Sequence, residues 1–92
     1  MLILVSYDVP DDRRRTRLAH ALKDFGERVQ YSVFECRLTA KQLDRLRERV
    51  EGLIDPGEDR LRIYTLCREC QGRIENLGTG TVLLEDPDVY LL

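Results

Sequence analysis

The stretch Arg28-Val29-Gln30-Tyr31-Ser32-Val33-Phe34-Glu35-Cys36 decides the topology of this chain. Val29, Tyr31, Val33 and Glu35 alternate with Gln30, Ser32, Phe34 and Cys36, and neither set is cleanly apolar. The alternation therefore leaves open which face meets a core. Taken as one strand over 28–36, it puts the only adjacent strand pair of the chain after the second helix. Folded as a hairpin within residues 28–40, it puts that pair between the two helices. Either way the pattern is an α+β sandwich with helices over one face of a sheet.

Upstream, Leu2-Ile3-Leu4-Val5-Ser6-Tyr7 ends in the carboxylate Asp8 and reads as a buried strand over residues 2–9. Pro10 stops it, and Asp11 or Asp12 is placed to cap a helix. That helix runs to about Phe25, with Leu18, Leu22 and Phe25 on its inner face and Gly26 as its stop. Downstream, Thr39 and Gln42 sit three apart as a capping box, and a second amphipathic helix carries Leu43, Leu46 and Val50 to about Gly52. Asp55-Pro56-Gly57-Glu58-Asp59 is a loop by its turn chemistry. Arg60–Leu66 alternates with period two and reads as a strand with one basic, solvated face. A short turn or helix at 67–72 and a further strand at 73–77 follow. Residues 85–92 end in the apolar run Tyr90-Leu91-Leu92, a terminal strand.

Ninety-two residues make one domain, spanning 1–92. A core this small leaves room for stabilisation by self-association. Thirteen of the 15 basic residues are arginine, a side chain suited to bidentate phosphate and carboxylate contacts, although genome composition or a thermophilic source produces the same bias. The net charge of −2 argues against a general nucleic-acid coat. The distribution is uneven, with 11 basic and 8 acidic residues over 1–50 against 4 and 9 over 51–92. Any nucleic-acid contact is therefore expected as a local patch in the first half. A charged n-region is missing and no apolar run approaches the ~20 residues of a membrane span, so a cytoplasmic location with no membrane contact is expected.

A carboxylate at a strand end, facing arginines at the start of the next helix, can hold a divalent cation and phosphates close together. Asp8 and the cluster Arg13-Arg14-Arg15-Thr16-Arg17 have that relation. Arg15 and Arg17, two residues apart on a helix, point about 200° apart and form no single flat clamp. Cys67-x-x-Cys70 invites a zinc or redox reading, but tetrahedral zinc needs two more ligands, which only Cys36 and His20 could supply. Structural roles are the simpler account of these cysteines, of His20, and of Tyr31 and Tyr64, which are expected to pack.

The assembled pattern, Tyr7-Asp8, then Asp11-Asp12-Arg13-Arg14-Arg15-x-Arg17-Leu18, then Gly26-x-Arg28-Val29-Gln30-x-Ser32-Val33-Phe34-Glu35, resembles the small CRISPR-associated Cas2 family, which partners the integrase Cas1. Ile63-Tyr64, the Cys-x-x-Cys turn, Arg73-Ile74 and the Pro87-Asp88-Val89-Tyr90 ending extend the resemblance through the chain. It implies a ferredoxin-like sandwich, an antiparallel sheet with two helices on one face. It also implies a homodimer in which the terminal strand at 85–92 extends the partner protomer's sheet. By the same resemblance Asp8 matches a metal-binding aspartate for Mg²⁺ or Mn²⁺, and Tyr7, Arg15, Arg17, Arg28 and Phe34 match a nuclease site. The implied activity is metal-dependent cleavage of single-stranded RNA or double-stranded DNA during spacer acquisition in antiviral defence. The alternative is a non-catalytic dimeric adaptor that binds DNA and bridges integrase subunits. A toxin-type interferase and a small-molecule regulatory domain of similar fold stand as rivals from other classes.

Overall fold

The computed structural model describes residues 1–78, so the expected terminal strand at 85–92 lies outside the described residues. The chain runs β1 (Leu2–Asp8), α1 (Asp12–Leu22), β2 (Glu27–Gln30), β3 (Val33–Arg37), α2 (Ala40–Glu51), β4 (Arg60–Leu66) and α3 (Arg68–Gln71). The four strands form one sheet in the order β2-β3-β1-β4, with every neighbouring pair antiparallel. This β-α-β-β-α-β order is the ferredoxin-like sandwich.

The stretch 28–36 is a hairpin, not one strand. Gln30 pairs with Val33 across the two-residue turn Tyr31-Ser32, and Arg28 pairs with Phe34. A bulge between Arg28 and Gln30 takes up the odd residue, which is why neither alternating set was cleanly apolar over the full nine residues. Within β3 the alternation is clean: Phe34 and Cys36 are buried, while Val33, Glu35 and Arg37 are half-buried on the opposite face.

β1 lies inside the sheet, bonded to β3 on one side and β4 on the other. Its residues Ile3, Val5 and Tyr7 join Phe34, Cys36, Leu61 and Ile63 on one face. Leu18 and Leu22 of α1 and Leu43, Leu46 and Val50 of α2 close over that face, so both helices cover the same side. Burying five such side chains contributes roughly 1.5–3 kcal/mol apiece. The other face presents Leu4, Ser6 and Asp8 of β1 beside Arg60, Arg62 and Tyr64 of β4.

The expected caps form. Asp11 accepts from the Arg14 amide at 2.8 Å, and Thr39 and Gln42 complete their capping box at 3.2 and 2.8 Å. α1 ends earlier than its periodicity predicts, at Leu22, and residues 23–25 form a turn. Gly26 is required for a different reason from helix termination. A Cβ there would sit on the Glu35 carbonyl oxygen and within 2.6 Å of Cys36 Sγ, so only glycine lets this turn lie against β3.

The strand expected at 73–77 is absent from the structure. The amides of Arg73 and Ile74 donate to the carbonyls of Cys70 and Gln71, which turns the chain back on the end of α3 and leaves those groups unavailable to a ladder.

One ion pair fixes how α1 sits on the sheet. Arg14 donates from Nε to Asp59 Oδ2 at 2.7 Å and from Nη2 to Oδ1 at 2.8 Å, and reaches Glu58 at 3.2 Å. Asp59 also accepts the Asp55 amide at 2.8 Å, and its carboxylate is wholly shielded from solvent. The Arg14 hydrogen bonds hold the Asp59 carboxyl below the usual carboxylate range. A carboxyl so depressed contributes stability at pH values above its unfolded pKa and loses it as pH falls through its folded one. The melting temperature of the wild type is therefore expected to fall more steeply below about pH 4 than that of Asp59→Asn. Parallel pH–melting curves for the two proteins would remove the pair from this role.

Candidate functional site

The end of β1, the start and outer face of α1 and the β2–β3 hairpin enclose a groove of about 650 Å³. Its charged lining is Asp8, Arg15, Lys23 and Arg28, with His20 and Thr16 on the helix wall and Tyr7, Tyr31 and Ser32 on the sheet wall. With Arg15 paired to Asp12, Lys23 and Arg28 against Asp8 still leave this a positive pocket in a chain of net charge −2. That local excess is what attracts an anion.

Tyr7 organises the sheet wall. Its ring is buried and stacks on Phe34, with centroids 6.3 Å apart and planes 28° apart. Its hydroxyl donates to the Tyr31 carbonyl at 3.2 Å, and its amide donates to the Ser32 carbonyl at 3.1 Å. The other end of this stack carries a cation: the Arg28 guanidinium carbon lies 5.5 Å from the Phe34 ring centroid. Phe34 is itself completely buried, so its ring offers no surface to a base. It acts through Arg28, by supporting it.

Asp8 follows Tyr7 and faces the opposite way. Its Cα pairs in register with that of Arg60, and the residue is exposed. Six other described aspartates are occupied: Asp11 caps α1, Asp12 binds Arg15, Asp24 binds Arg49, Asp44 binds Arg47, Asp55 accepts the Gly57 amide and Asp59 binds Arg14. The Asp8 carboxylate takes part in none of these hydrogen bonds or ion pairs. An exposed, uncommitted carboxylate suits a hard divalent cation, because Mg²⁺ takes one or two carboxylates and keeps several waters. No group of three or more histidine, cysteine, aspartate or glutamate side chains able to hold a metal occurs among the described residues. Asp8 is thus the one carboxylate that the described residues bring to the groove.

The two arginines of α1 part company. Arg15 lines the groove, with Nη1 donating to the Val9 carbonyl at 3.0 Å and Nη2 paired with Asp12, so it is held at the strand–helix turn. Arg17 is exposed and does not line the groove, as its ~200° offset from Arg15 dictates. Four groove residues escaped the sequence reading. Thr16, His20 and Lys23 form a helical stripe at i, i+4 and i+7, a spacing visible in the sequence. Tyr31, expected to pack, is instead 94% exposed, because it occupies the turn of the hairpin.

The cysteines do not converge. Cys36 is in the core, His20 is on the groove wall, and Cys67 and Cys70 are exposed at the start of α3. Cys67 accepts the Cys70 amide at 3.4 Å, a hydrogen bond that makes its thiol more acidic than an ordinary cysteine.

Residues 1–74 match the family model described as CRISPR associated protein Cas2. The chain belongs to the Cas2 family. It is 51% identical over 89 residues to a CRISPR-associated endoribonuclease Cas2 of Thermus thermophilus, covering 96% of this chain and 95% of that protein. The crystal structure of Streptococcus pyogenes Cas2 at pH 6.5 superposes with a TM-score of 0.74 at 37% identity, over 85% of this chain and all of that one. A chain of a partial Cas6-RT-Cas1–Cas2 complex superposes with a TM-score of 0.71 at 26% identity, over 89% of this chain and 98% of that one. The fold expected from the resemblance is therefore this chain's fold.

Because Phe34 is core and Arg28 rests on it, Phe34→Ala is expected to cost about 3–5 kcal/mol of stability, the usual range for emptying a buried aromatic site. Urea unfolding measures this. A loss under ~1 kcal/mol would show that Phe34 is dispensable to packing.

Proposed function

We propose that this Cas2 protein is a metal-dependent phosphodiester endonuclease of CRISPR adaptation, acting on RNA or DNA during spacer acquisition in antiviral defence. The observation that carries the reading is Asp8, whose carboxylate makes no hydrogen bond or ion pair among the described residues and which lines one groove with Arg15, Lys23 and Arg28. The name of its Thermus relative, an endoribonuclease, supports the chemistry, and the presence of a similar chain in a Cas1–Cas2 complex supports Cas1 as partner. The setting is the cytoplasm; among the described residues no helix is long and apolar enough to cross a membrane.

Asp8 is the residue that would hold the cation. Mg²⁺ or Mn²⁺, when bound, supplies Lewis-acid polarisation of a phosphoryl oxygen and a more acidic water. Arg28, fixed over Phe34, neutralises the phosphate and gains on the transition state, where negative charge spreads over the equatorial oxygens. Arg15 closes the strand–helix end of the groove. Tyr7 holds the wall in place from within, and Phe34 carries Arg28, so both are positioning residues. Arg17 stands apart on the solvent side of α1, where it steers nucleic acid towards the groove.

A homodimer completes the site in this reading. The sheet face opposite α1 and α2 presents Leu4, Val33 and Tyr64, the last 42% exposed. Among the described residues β4 is an edge strand with one side unpaired, open to strand addition from a second copy. Two-fold symmetry pairs like with like, so a dimer whose axis passes near Asp8 would bring two such carboxylates together to hold a cation. Sedimentation equilibrium is expected to return twice the chain mass, and Tyr64→Arg to lower it; a wild-type monomer at all concentrations tested would overturn the dimer.

The lone carboxylate per protomer also favours a second reading, a non-catalytic adaptor that bridges Cas1 subunits and uses the cations of the groove to bind DNA. Cleavage of labelled single-stranded RNA and double-stranded DNA, with Mg²⁺ or Mn²⁺ and with EDTA, separates the two. Wild type is expected to cut only with metal, and Asp8→Asn to cut on the order of 10²-fold more slowly while binding as well as wild type. Equal cutting by both proteins would place the chemistry elsewhere. No cutting by either, with binding intact, would establish the adaptor.

A further inference from the structure

Tyr31 is an aromatic ring placed where folding has no use for it. It is 94% exposed, far more than Tyr64 on the opposite face, and its side chain contributes nothing to the core. Its backbone, by contrast, is fixed. The Tyr31 carbonyl accepts the Tyr7 hydroxyl at 3.2 Å and the next carbonyl accepts the Tyr7 amide at 3.1 Å, so the turn is pinned to the central strand. The ring therefore stands on a rigid mount.

The surroundings say what would rest on it. Tyr31, Ser32 and Arg28 line both the 650 Å³ groove and an adjoining depression of about 620 Å³ formed with Val29 and Gln30. Lys23 and Arg28 line both the groove and a further depression of about 540 Å³. Arg28 and Tyr31 thus stand on a ridge between concavities, with a second cation, Lys23, across the groove at the end of α1. An exposed ring with cations lining the same groove is the pattern that holds single-stranded nucleic acid, since every unpaired base has a face to stack and every linkage carries a negative charge. A duplex keeps its base faces inside its own stack, and nothing on its outside can lie flat on the ring.

We propose that Tyr31 is a base-stacking platform and that Arg28 and Lys23 hold the phosphates on either side of the stacked base, which makes the groove selective for an unpaired strand. The inference rests on the nucleic-acid reading of the groove and deepens it by naming the form of the substrate. The shared chemistry is an unpaired base flanked by phosphates, and single-stranded RNA and single-stranded DNA both supply it.

The test is fluorescence anisotropy on labelled single-stranded RNA, single-stranded DNA and duplex DNA of the same sequence, with full-length protein, in EDTA so that nothing is cut. Tyr31→Ala is expected to weaken single-strand binding roughly five- to a hundred-fold, the range for losing one base–aromatic stack, and Tyr31→Phe to restore it. Duplex binding should be the same in all three proteins. Because the Tyr31 ring is solvent-exposed and its carbonyl remains in either variant, a fold defect is not expected, and circular dichroism checks that. Lys23→Ala should reduce the slope of log affinity against log salt for the single strand by about 0.7, the value for one phosphate contact. Equal losses on single strand and duplex, or no loss on either, would overturn the stacking role while leaving a nucleic-acid groove. An unchanged salt slope would remove Lys23 from it. Failure of wild type to bind any of the three would overturn this inference and the nucleic-acid reading together.

Discussion

The two hydrogen bonds from Tyr7 to the hairpin turn are the interaction on which the site depends. Tyr7 sits on the central strand with its ring in the core, and its amide and hydroxyl donate to consecutive carbonyls at Ser32 and Tyr31. The same ring stacks on Phe34, and Phe34 supports the Arg28 guanidinium. Core packing and site geometry are therefore one structure. A side chain buried for hydrophobic reasons sets the height of a turn and the position of a cation.

The opposite wall of the groove is placed by electrostatics. α1 touches the sheet through Leu18 and Leu22, contacts that do not by themselves resist sliding along the helix axis. The two-pronged Arg14–Asp59 bridge supplies that constraint, because the planar guanidinium fork accepts only one approach of the carboxylate. Asp59 is in turn seated by the Asp55 amide, so the loop between α2 and β4 anchors the start of α1. Arg15, one residue further on, is thereby held against the Val9 carbonyl at the mouth of the groove. Of the arginine cluster, one member fastens the helix, its neighbour closes the groove, and Arg17 faces solvent.

Local chemistry was legible wherever a short-range rule decides. The Asp11 and Thr39 caps, the period-two alternation of Arg60–Leu66 and the apolar stripe of α2 follow from interactions spanning three or four residues, and all formed as read. The strand expected at 73–77 failed because its amides turned back to Cys70 and Gln71, a competition between two satisfied states that residue preference does not rank. Gly26 was legible as a special residue but not for its reason, since the close approach of Glu35 and Cys36 comes from β3, beyond the hairpin turn.

The sequence by itself determined the α+β class, the caps, the inner faces of both helices and Asp8 as a carboxylate at a strand end, because each follows from local spacing and the need to bury apolar surface. The family pattern supplied the ferredoxin-like order. Only the tertiary structure decided that residues 28–36 fold as a hairpin, since the bulge at Arg28–Gln30 hides its period and pairing with β1 fixes its register. Only the tertiary structure turned Tyr31 outward and Phe34 inward, because the alternation assigns the two aromatics to opposite sets without deciding which set meets the core. It also gathered Thr16, His20 and Lys23 onto the wall facing Arg28, because which face of a helix lines a groove depends on what the other face is packed against.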